Sequence, residues 1–145
     1  MKEIDVVIVG AGLSGIGAAY HVQNSCPDRT FTVLEGRSTI GGTWDLFKYP
    51  GIRSDSDMYT FGFPFHPWKN PKAIADAPSI LEYINDTVDT FDLRKHIQFG
   101  KRVIGANWST EHKKWHLTVQ CSETSTQEVV SCQFLFMCSG YYDYK

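Results

Sequence analysis

The chain has 145 residues, of which 42% are hydrophobic and 14% aromatic, and its formal net charge is −2 at pH 7. This length suits one domain with an ordinary core, and the balanced charge argues against nucleic acid or an anionic membrane as the main partner. No apolar run approaches the roughly 18 residues of a transmembrane segment. The four cysteines form no C-x-x-C pair and the five histidines no metal-ligand set. The sequence therefore favours a cytoplasmic protein with free thiols and without a metal site.

The first 35 residues predict a strand, a helix and a second strand. "IDVVIVG" (4–10) is a continuous apolar run rich in β-branched residues, which is typical of a strand buried on both faces. Small residues and helix formers follow directly, and "TFTVLE" (30–35) has the pattern of a second buried strand. Two such strands joined through a helix predict a parallel pair with a crossover connection.

After an aperiodic stretch over residues 40–59, the pattern predicts another helix and then several strands. "PSILEYINDTVDTFDL" repeats apolar residues at helical spacing, and Ser79 with Glu82 forms a capping-box pattern at its start. Residues from about 97 to 133 alternate in three short segments, the last of them "TQEVVSC", and predict a small antiparallel β-meander. "CQFLFMCSG" is largely apolar and predicts a third parallel strand. The fold class is therefore α/β, with a parallel sheet and a meander in one unit over residues 1–145.

The glycines after the first strand have the spacing G-x-G-x-x-G, at Gly10, Gly12 and Gly15. Between a buried strand and a helix, this pattern indicates a Rossmann-like dinucleotide site. Gly10 allows the tight turn, Gly12 lets a diphosphate approach the backbone, and Gly15 lets the helix pack closely on the strand. Glu35 ends the second strand, where it can accept hydrogen bonds from a ribose. The alternative is that the glycines serve helix packing alone.

A second glycine pair, Gly41-Gly42, follows soon after Glu35. An NAD-dependent dehydrogenase has no use for a glycine pair at that point. FAD is longer, and its flavin end must pass over more backbone beyond the diphosphate, which glycines without a Cβ permit. The pair therefore favours FAD over NAD as the first dinucleotide.

Several stretches together resemble the class B flavoprotein monooxygenases, most closely Baeyer–Villiger monooxygenases of the ethionamide-activating type. The resemblance covers essentially the whole chain, and "GGTWDLFKYPGIRSDSDMY" is far more specific than the glycine loop. The stretches that carry it are "VVIVGAGLSGIGAAYHV", "VLEGRSTIGGTWDLFKYPGIRSDSDMYTFGF", "ILEYI", "NWSTEHKKWHL" and "FLFMCSGYY". The resemblance implies a Rossmann-like FAD-binding domain, with FAD and NADPH as cofactors.

The resemblance also implies roles for the aperiodic stretch, which would wrap the flavin and form one wall of the active site. Asp55 matches the family's active-site aspartate, which pairs with an arginine held over the flavin. A turn role is the alternative for Asp55 and the preferred interpretation for Asp57. The residues expected to hold cofactors are Gly10, Gly12, Ser14, Gly15, Glu35, Gly42, Thr43, Trp44, Asp45, Arg53, Ser54, Asp55 and Val103.

Within this set, the resemblance assigns three finer contacts. Thr43, Trp44 and Asp45 would lie along the isoalloxazine and the ribityl chain. Arg53 and Ser54 are candidates for contact with the nicotinamide cofactor, and the backbone of Val103 would meet the adenine ring.

The family also carries a second glycine-rich unit for NADPH and a later catalytic arginine, and neither occurs in this sequence. We therefore expect the chain to be an N-terminal part of an FAD- and NADPH-dependent monooxygenase, inactive by itself. The whole protein would use O2 to oxidise a small-molecule ketone by Baeyer–Villiger insertion, or a sulfide or thioamide. The alternatives are a non-catalytic FAD-binding fragment and an N- or S-oxygenating flavin-containing monooxygenase.

Overall fold

A computed structural model describes residues 2–142, which form one six-stranded mixed sheet with helices packed on it. The strand order across the sheet is β3-β2-β1-β6-β5-β4. The strands are β1 (Lys2–Val9), β2 (Phe31–Leu34), β3 (Ile97–Gln98), β4 (Lys101–Ser109), β5 (Lys114–Cys121) and β6 (Gln127–Met137). The helices are α1 (Leu13–Ser25), the one-turn α2 (Thr43–Leu46) and α3 (Met58–Phe61), α4 (Ala77–Thr90), and a 3-10 turn at Arg94–His96.

The parallel half of the sheet is built around β1. This strand pairs in parallel with β2 on one side and with β6 on the other, so that Ile8 lies between Val33 and Phe136. Both faces of β1 are covered near its carboxyl end, and Val7 and Ile8 are completely buried. The continuous apolar run follows from this double burial, and the predicted parallel strands over residues 4–10 and 30–35 are confirmed.

The meander is joined to the parallel sheet differently from the sequence prediction. The segments "TQEVVSC" and "CQFLFMCSG", predicted as two strands, form the single strand β6. One edge of β6 pairs in parallel with β1 and the other pairs antiparallel with β5. The short strand β3, predicted within the meander, instead pairs in parallel with β2. The meander is therefore a continuation of the main sheet.

Two apolar cores lie on opposite sides of the sheet. On the first side, α1 and α4 pack Ile16, Ile80 and Ile84 against Ile8 and other sheet residues. On the second side, Leu117 and Val119 of β5 form a cluster with the opposite face of β1 and with Leu34. Burying each such side chain stabilises the fold by about 1.5–3 kcal/mol. The cores fix both ends of the loop that follows β2.

Helix α4 begins at a different cap from the one predicted. Asp76 is the N-cap residue, and its Oδ1 accepts hydrogen bonds from the backbone N–H of Ser79 at 3.0 Å and from the Ser79 hydroxyl at 2.6 Å. Ser79 therefore lies in the first turn and supports the cap. Pro78, also in the first turn, needs no backbone hydrogen-bond partner there, so it is compatible with a helix that starts three residues before the predicted position.

The Asp76 cap predicts a dependence of stability on acidic pH. The Ser79 hydroxyl and N–H, with Lys72, lower the pKa of Asp76 from its ordinary 3.8 to about 2. Because the folded protein favours the ionised carboxylate, this stabilisation is complete above the unfolded pKa and disappears as the pH falls from about 4 to about 2. Asp76→Ala should lower the melting temperature by roughly 2–4 °C at pH 7 and by much less at pH 2. Thermal unfolding across this pH range tests the prediction, and a pH-independent loss contradicts it.

Candidate functional site

In the loop between β1 and α1, the packing of the fold requires glycine at two of the three glycine positions. Gly10 has φ +101°, and a Cβ there would lie 2.5 Å from the carbonyl oxygen of Cys138. A Cβ on Gly15 would overlap the carbonyl oxygen of Gly10. The predicted turn role of Gly10 and packing role of Gly15 therefore agree with the geometry.

Gly12 differs from the other two glycines because the fold does not require it. Its φ is −81°, which any residue adopts, and a Cβ there would meet only Gly42, at an ordinary 3.5 Å. Gly12 is also the N-cap of α1, and among residues 2–142 no side chain caps that helix. The backbone N–H groups in the first turn of α1, including that of Ser14, lie at the positive end of the helix dipole. This arrangement favours the binding of an anion.

Glu35 lies at the carboxyl end of β2 with its carboxylate turned toward this loop. The side chain is only 8% exposed, and Oε2 accepts a hydrogen bond from the backbone N–H of Ala11 at 2.7 Å. Oε1 accepts another from the N–H of Arg37 at 2.9 Å. These bonds fix the carboxylate beside the glycine loop, with further lone pairs left for a ribose.

The tandem glycines lie directly against the glycine loop. Gly41 has φ +113° and donates its N–H to the carbonyl of Ala11 at 3.0 Å. Gly42 has φ +53°, and a Cβ on it would lie 3.1 Å from the Cα of Gly12. Two backbones without side chains thus pack directly against each other.

Helix α2, directly after the glycines, places its three predicted residues in different surroundings. Trp44 packs edge-on against Phe61, with the ring centroids 5.8 Å apart. Asp45 turns toward Arg37, with which it forms an ion pair, and its Oδ2 also accepts a hydrogen bond from the hydroxyl of Thr39 at 2.8 Å. Partial burial acts to raise the pKa of Asp45, but the bonds from Thr39 and Arg37 outweigh it and the net pKa is lowered. Thr43 opens α2 beside Gly42.

The segment that contains Asp55 is hydrogen-bonded to the residues just before α4. Ser54 donates its N–H to the carbonyl of Ala75 at 2.8 Å, and its hydroxyl accepts the N–H of Ala75 at 3.1 Å. Ser54 is 1% exposed, so its hydroxyl is occupied by this structural bond. Arg53, which forms a β-bridge with Asp76, and Asp55 itself are exposed. The fold therefore holds the backbone of Asp55 firmly and leaves its carboxylate accessible.

Asp57 has the turn role favoured by the sequence. It is the N-cap of α3, and its carboxylate accepts hydrogen bonds from the N–H and the hydroxyl of Thr60, each at 2.9 Å. The Thr60 backbone and hydroxyl lower the pKa of Asp57. The two aspartates of "RSDSD" thus differ in surroundings, since one carboxylate is engaged in a cap and the other is exposed.

Val103 approaches the same region from the meander. Its strand, β4, starts beside the end of β2, where Lys101 donates its N–H to the carbonyl of Glu35 at 2.8 Å. A Cβ on Gly36 would lie 3.3 Å from the Cβ of Arg102. These contacts bring Val103 near the ribose-binding candidate Glu35. The site roles given to all thirteen predicted residues remain predictions.

Two further parts of the chain lie near or beside this site. The end of β6 crosses the glycine loop, where Cys138 donates its N–H to the carbonyl of Val9 at 2.8 Å. His66 and Trp68, in the loop before α4, pack on that helix. His66 Nδ1 lies 2.9 Å from the hydroxyl of Thr87, and Trp68 is only 8% exposed.

Arg37, which the sequence pattern did not single out, contacts three predicted site residues: Glu35, Gly42 and Asp45. Its position two residues after Glu35 was visible, but its partners depend on the fold of the glycine turn.

Over residues 2–142, no three His, Cys, Asp or Glu side chains are grouped to hold a metal ion. Within the same range, no helix is long and apolar enough to cross a bilayer.

A parallel sheet whose first strand runs through a glycine loop into a helix, with an acidic residue ending the next strand, defines a Rossmann-like dinucleotide-binding fold. A family described as "NAD(P)-binding Rossmann-like domain" matches residues 8–77. The chain is 52% identical over 143 residues to the FAD-containing monooxygenase EthA of Mycobacterium tuberculosis, covering 99% of this chain and 29% of that protein.

Solved structures give the same relationship. A cyclohexanone-bound cyclohexanone monooxygenase matches with a TM-score of 0.86 and 28% identity, over 98% of this chain and 28% of that one. The complex of OTEMO with FAD and NADP matches with a TM-score of 0.81 and 31% identity, over 94% of this chain and 26% of that one. The chain is thus homologous to one part of the FAD-containing monooxygenases of the Baeyer–Villiger type, which confirms the resemblance seen in the sequence. It spans less than a third of the length of these relatives.

Proposed function

We propose that the chain is the FAD-binding portion of an NADPH- and O2-dependent monooxygenase. The whole protein would insert oxygen beside a ketone carbonyl or oxidise a sulfide or thioamide. We use "full-length protein" for a polypeptide that carries this chain together with the remainder found in its relatives. Because the chain matches only 29% of EthA, we expect residues 1–145 alone to be inactive.

The observation that carries this proposal is the close approach of Gly12 and Gly42. The fold tolerates a Cβ at Gly12, yet both backbones are bare where they face each other. A dinucleotide whose diphosphate lies at the α1 N-terminus and whose far end continues over the second glycine pair fits this arrangement. FAD has that length, and relatives named for FAD share the sequence.

The residues of this chain would act mainly by binding and orienting. The first-turn N–H groups of α1 would hold the diphosphate, and the fixed carboxylate of Glu35 would accept the ribose hydroxyls. Thr43 and Trp44 would border the flavin, and Asp55 would fix a cation beside the reacting oxygen. FAD, when bound, supplies the redox chemistry by taking electrons from NADPH and passing them to O2.

The substrate class follows from the relatives and is part of the proposal. The matched cyclohexanone monooxygenase was solved with cyclohexanone, so a small ketone is the first substrate to test. Sulfides and thioamides are the second class, because the same oxygen donor can react with sulfur. A protein that oxidises sulfur or nitrogen but no ketone would be an N- or S-oxygenating flavin monooxygenase.

The test is cofactor and product analysis of the full-length protein. We expect a yellow protein that releases FAD, and not FMN, on denaturation. With NADPH and O2 it should convert cyclohexanone to its lactone, and formation of a sulfoxide from an aryl methyl sulfide without any lactone would favour the N- or S-oxygenating alternative. A colourless protein that binds only NADPH would overturn the assignment of FAD. A protein that holds FAD but forms neither product would support the non-catalytic alternative.

A further inference from the structure

We propose that Arg37 is a positioning residue for FAD, which holds the tandem-glycine turn against the glycine loop through its ion pair with Asp45. This inference rests on the proposed function, because it concerns how the same site receives FAD. It adds Arg37 to the site and gives Asp45 a supporting role in place of contact with the flavin.

Arg37 joins three separate pieces of the site. One terminal nitrogen of its guanidinium pairs with Oδ2 of Asp45 in α2. The other donates to the carbonyl of Gly42 at 3.3 Å. Its backbone N–H donates to Oε1 of Glu35 at 2.9 Å. A single residue thereby connects the end of β2, the glycine turn and the first turn of α2.

The partner of Arg37 is itself held in place. Oδ2 of Asp45 accepts the hydroxyl of Thr39 at 2.8 Å, and the Asp45 side chain is 21% exposed. Lys48 also pairs with Asp45, at 3.5 Å, but its own side chain is 70% exposed. Charge-assisted hydrogen bonds at a partly buried carboxylate are stronger than an exposed pair. The Arg37–Asp45 pair is therefore the stronger of the two.

The element that this pair holds is the one over which FAD must pass. Within residues 2–142, the glycine turn has one backbone bond to the glycine loop, from Gly41 N–H to the carbonyl of Ala11 at 3.0 Å. Gly41 and Gly42 both have positive φ and lack the restraint of a side chain, so the turn is entropically costly to hold. Arg37 adds a second restraint, through the carbonyl of Gly42 and through Asp45. Since Asp45 and Gly42 already occupy both guanidinium ends, an indirect role fits better than direct contact with the diphosphate.

The experiment measures FAD affinity in the full-length protein after removal of the flavin and reconstitution. Arg37→Ala and Asp45→Ala should each raise the FAD dissociation constant about tenfold, and the double variant should show about the same loss, because the two residues act as one unit. Arg37→Lys should recover part of the affinity, since lysine reaches Asp45 but lacks the two-ended geometry. Lys48→Ala is the matched control, and it should stay within about twofold of wild type.

A second measurement follows the turn itself without flavin. Amide hydrogen exchange over residues 40–46 should be faster in Arg37→Ala than in wild type, and unchanged over β6. Unchanged FAD affinity in Arg37→Ala, or additive losses in the double variant, would overturn the inference. So would a severe loss in Arg37→Ala with none in Asp45→Ala, since Arg37 would then act on FAD directly. A wild-type protein without FAD affinity would overturn the proposed function as well, whereas a flavin-loaded wild type with unaffected variants overturns this inference alone.

Discussion

Gly12→Val should remove FAD from the full-length protein while leaving the protein folded. The backbone at this position suits any residue, and the nearest atom to a new Cβ is the Cα of Gly42 at 3.5 Å. The branched side chain would instead fill the space in which the diphosphate approaches the α1 N-terminus. We expect FAD affinity to fall by at least about a hundredfold. The flavin-to-protein ratio after purification measures the loss, and circular dichroism of the flavin-free protein checks the fold.

Gly15→Val provides the contrasting variant from the same loop. Its Cβ would overlap the carbonyl of Gly10, so this substitution should prevent folding whether FAD is present or not. If Gly12→Val keeps stoichiometric flavin, the diphosphate does not pass over Gly12. If instead it unfolds as Gly15→Val does, Gly12 serves packing, as the alternative interpretation of the loop holds.

The parts of the fold that the sequence predicted are those specified by local signals. The apolar run of β1 indicates burial on both faces of the strand. The glycine loop indicates a turn that other residues cannot make. The apolar spacing in α4 likewise predicted the face that packs on the sheet. The contact between Gly12 and Gly42 was not predicted, because it depends on how the second glycine pair folds back onto the glycine loop.

The parts that the sequence did not predict depend on pairing between distant residues. β6 is one strand with different partners at its two edges, and no local pattern distinguishes this from two short strands. The sequence predicted Ser79 as the cap of α4, whereas Asp76 is the cap and accepts hydrogen bonds from Ser79. In the sequence, Arg37 is only a charged residue in a loop. Its ion pair with Asp45 depends on the fold of the glycine turn. The hydroxyl of Ser54, a residue predicted to contact the nicotinamide cofactor, accepts the N–H of Ala75, a bond between residues 21 apart that no local pattern shows.

The second large effect is expected at the exposed carboxylate of Asp55. In the full-length protein, Asp55→Ala should retain FAD but reduce oxygenated product about a hundred- to a thousandfold, the usual effect of removing a preorganised electrostatic group. The Ser54–Ala75 bonds hold the backbone of Asp55 and leave its carboxylate free to pair with an arginine from the rest of the protein. Without that partner, the arginine loses its fixed position beside the reacting oxygen. NADPH oxidation should continue, with hydrogen peroxide as the product.

Asp57→Ala is the matched control, two residues away. Asp57 caps α3 through Thr60, so this variant should lose some thermal stability while its product per NADPH consumed stays close to wild type. The same ratio should collapse in Asp55→Ala. If Asp57→Ala uncouples the enzyme and Asp55→Ala does not, the functional carboxylate is Asp57, and the α3 cap would have to open for catalysis. If neither variant uncouples the enzyme, the charge beside the reacting oxygen is held by residues outside this chain, and the segment around Asp55 serves only to shape the wall of the site.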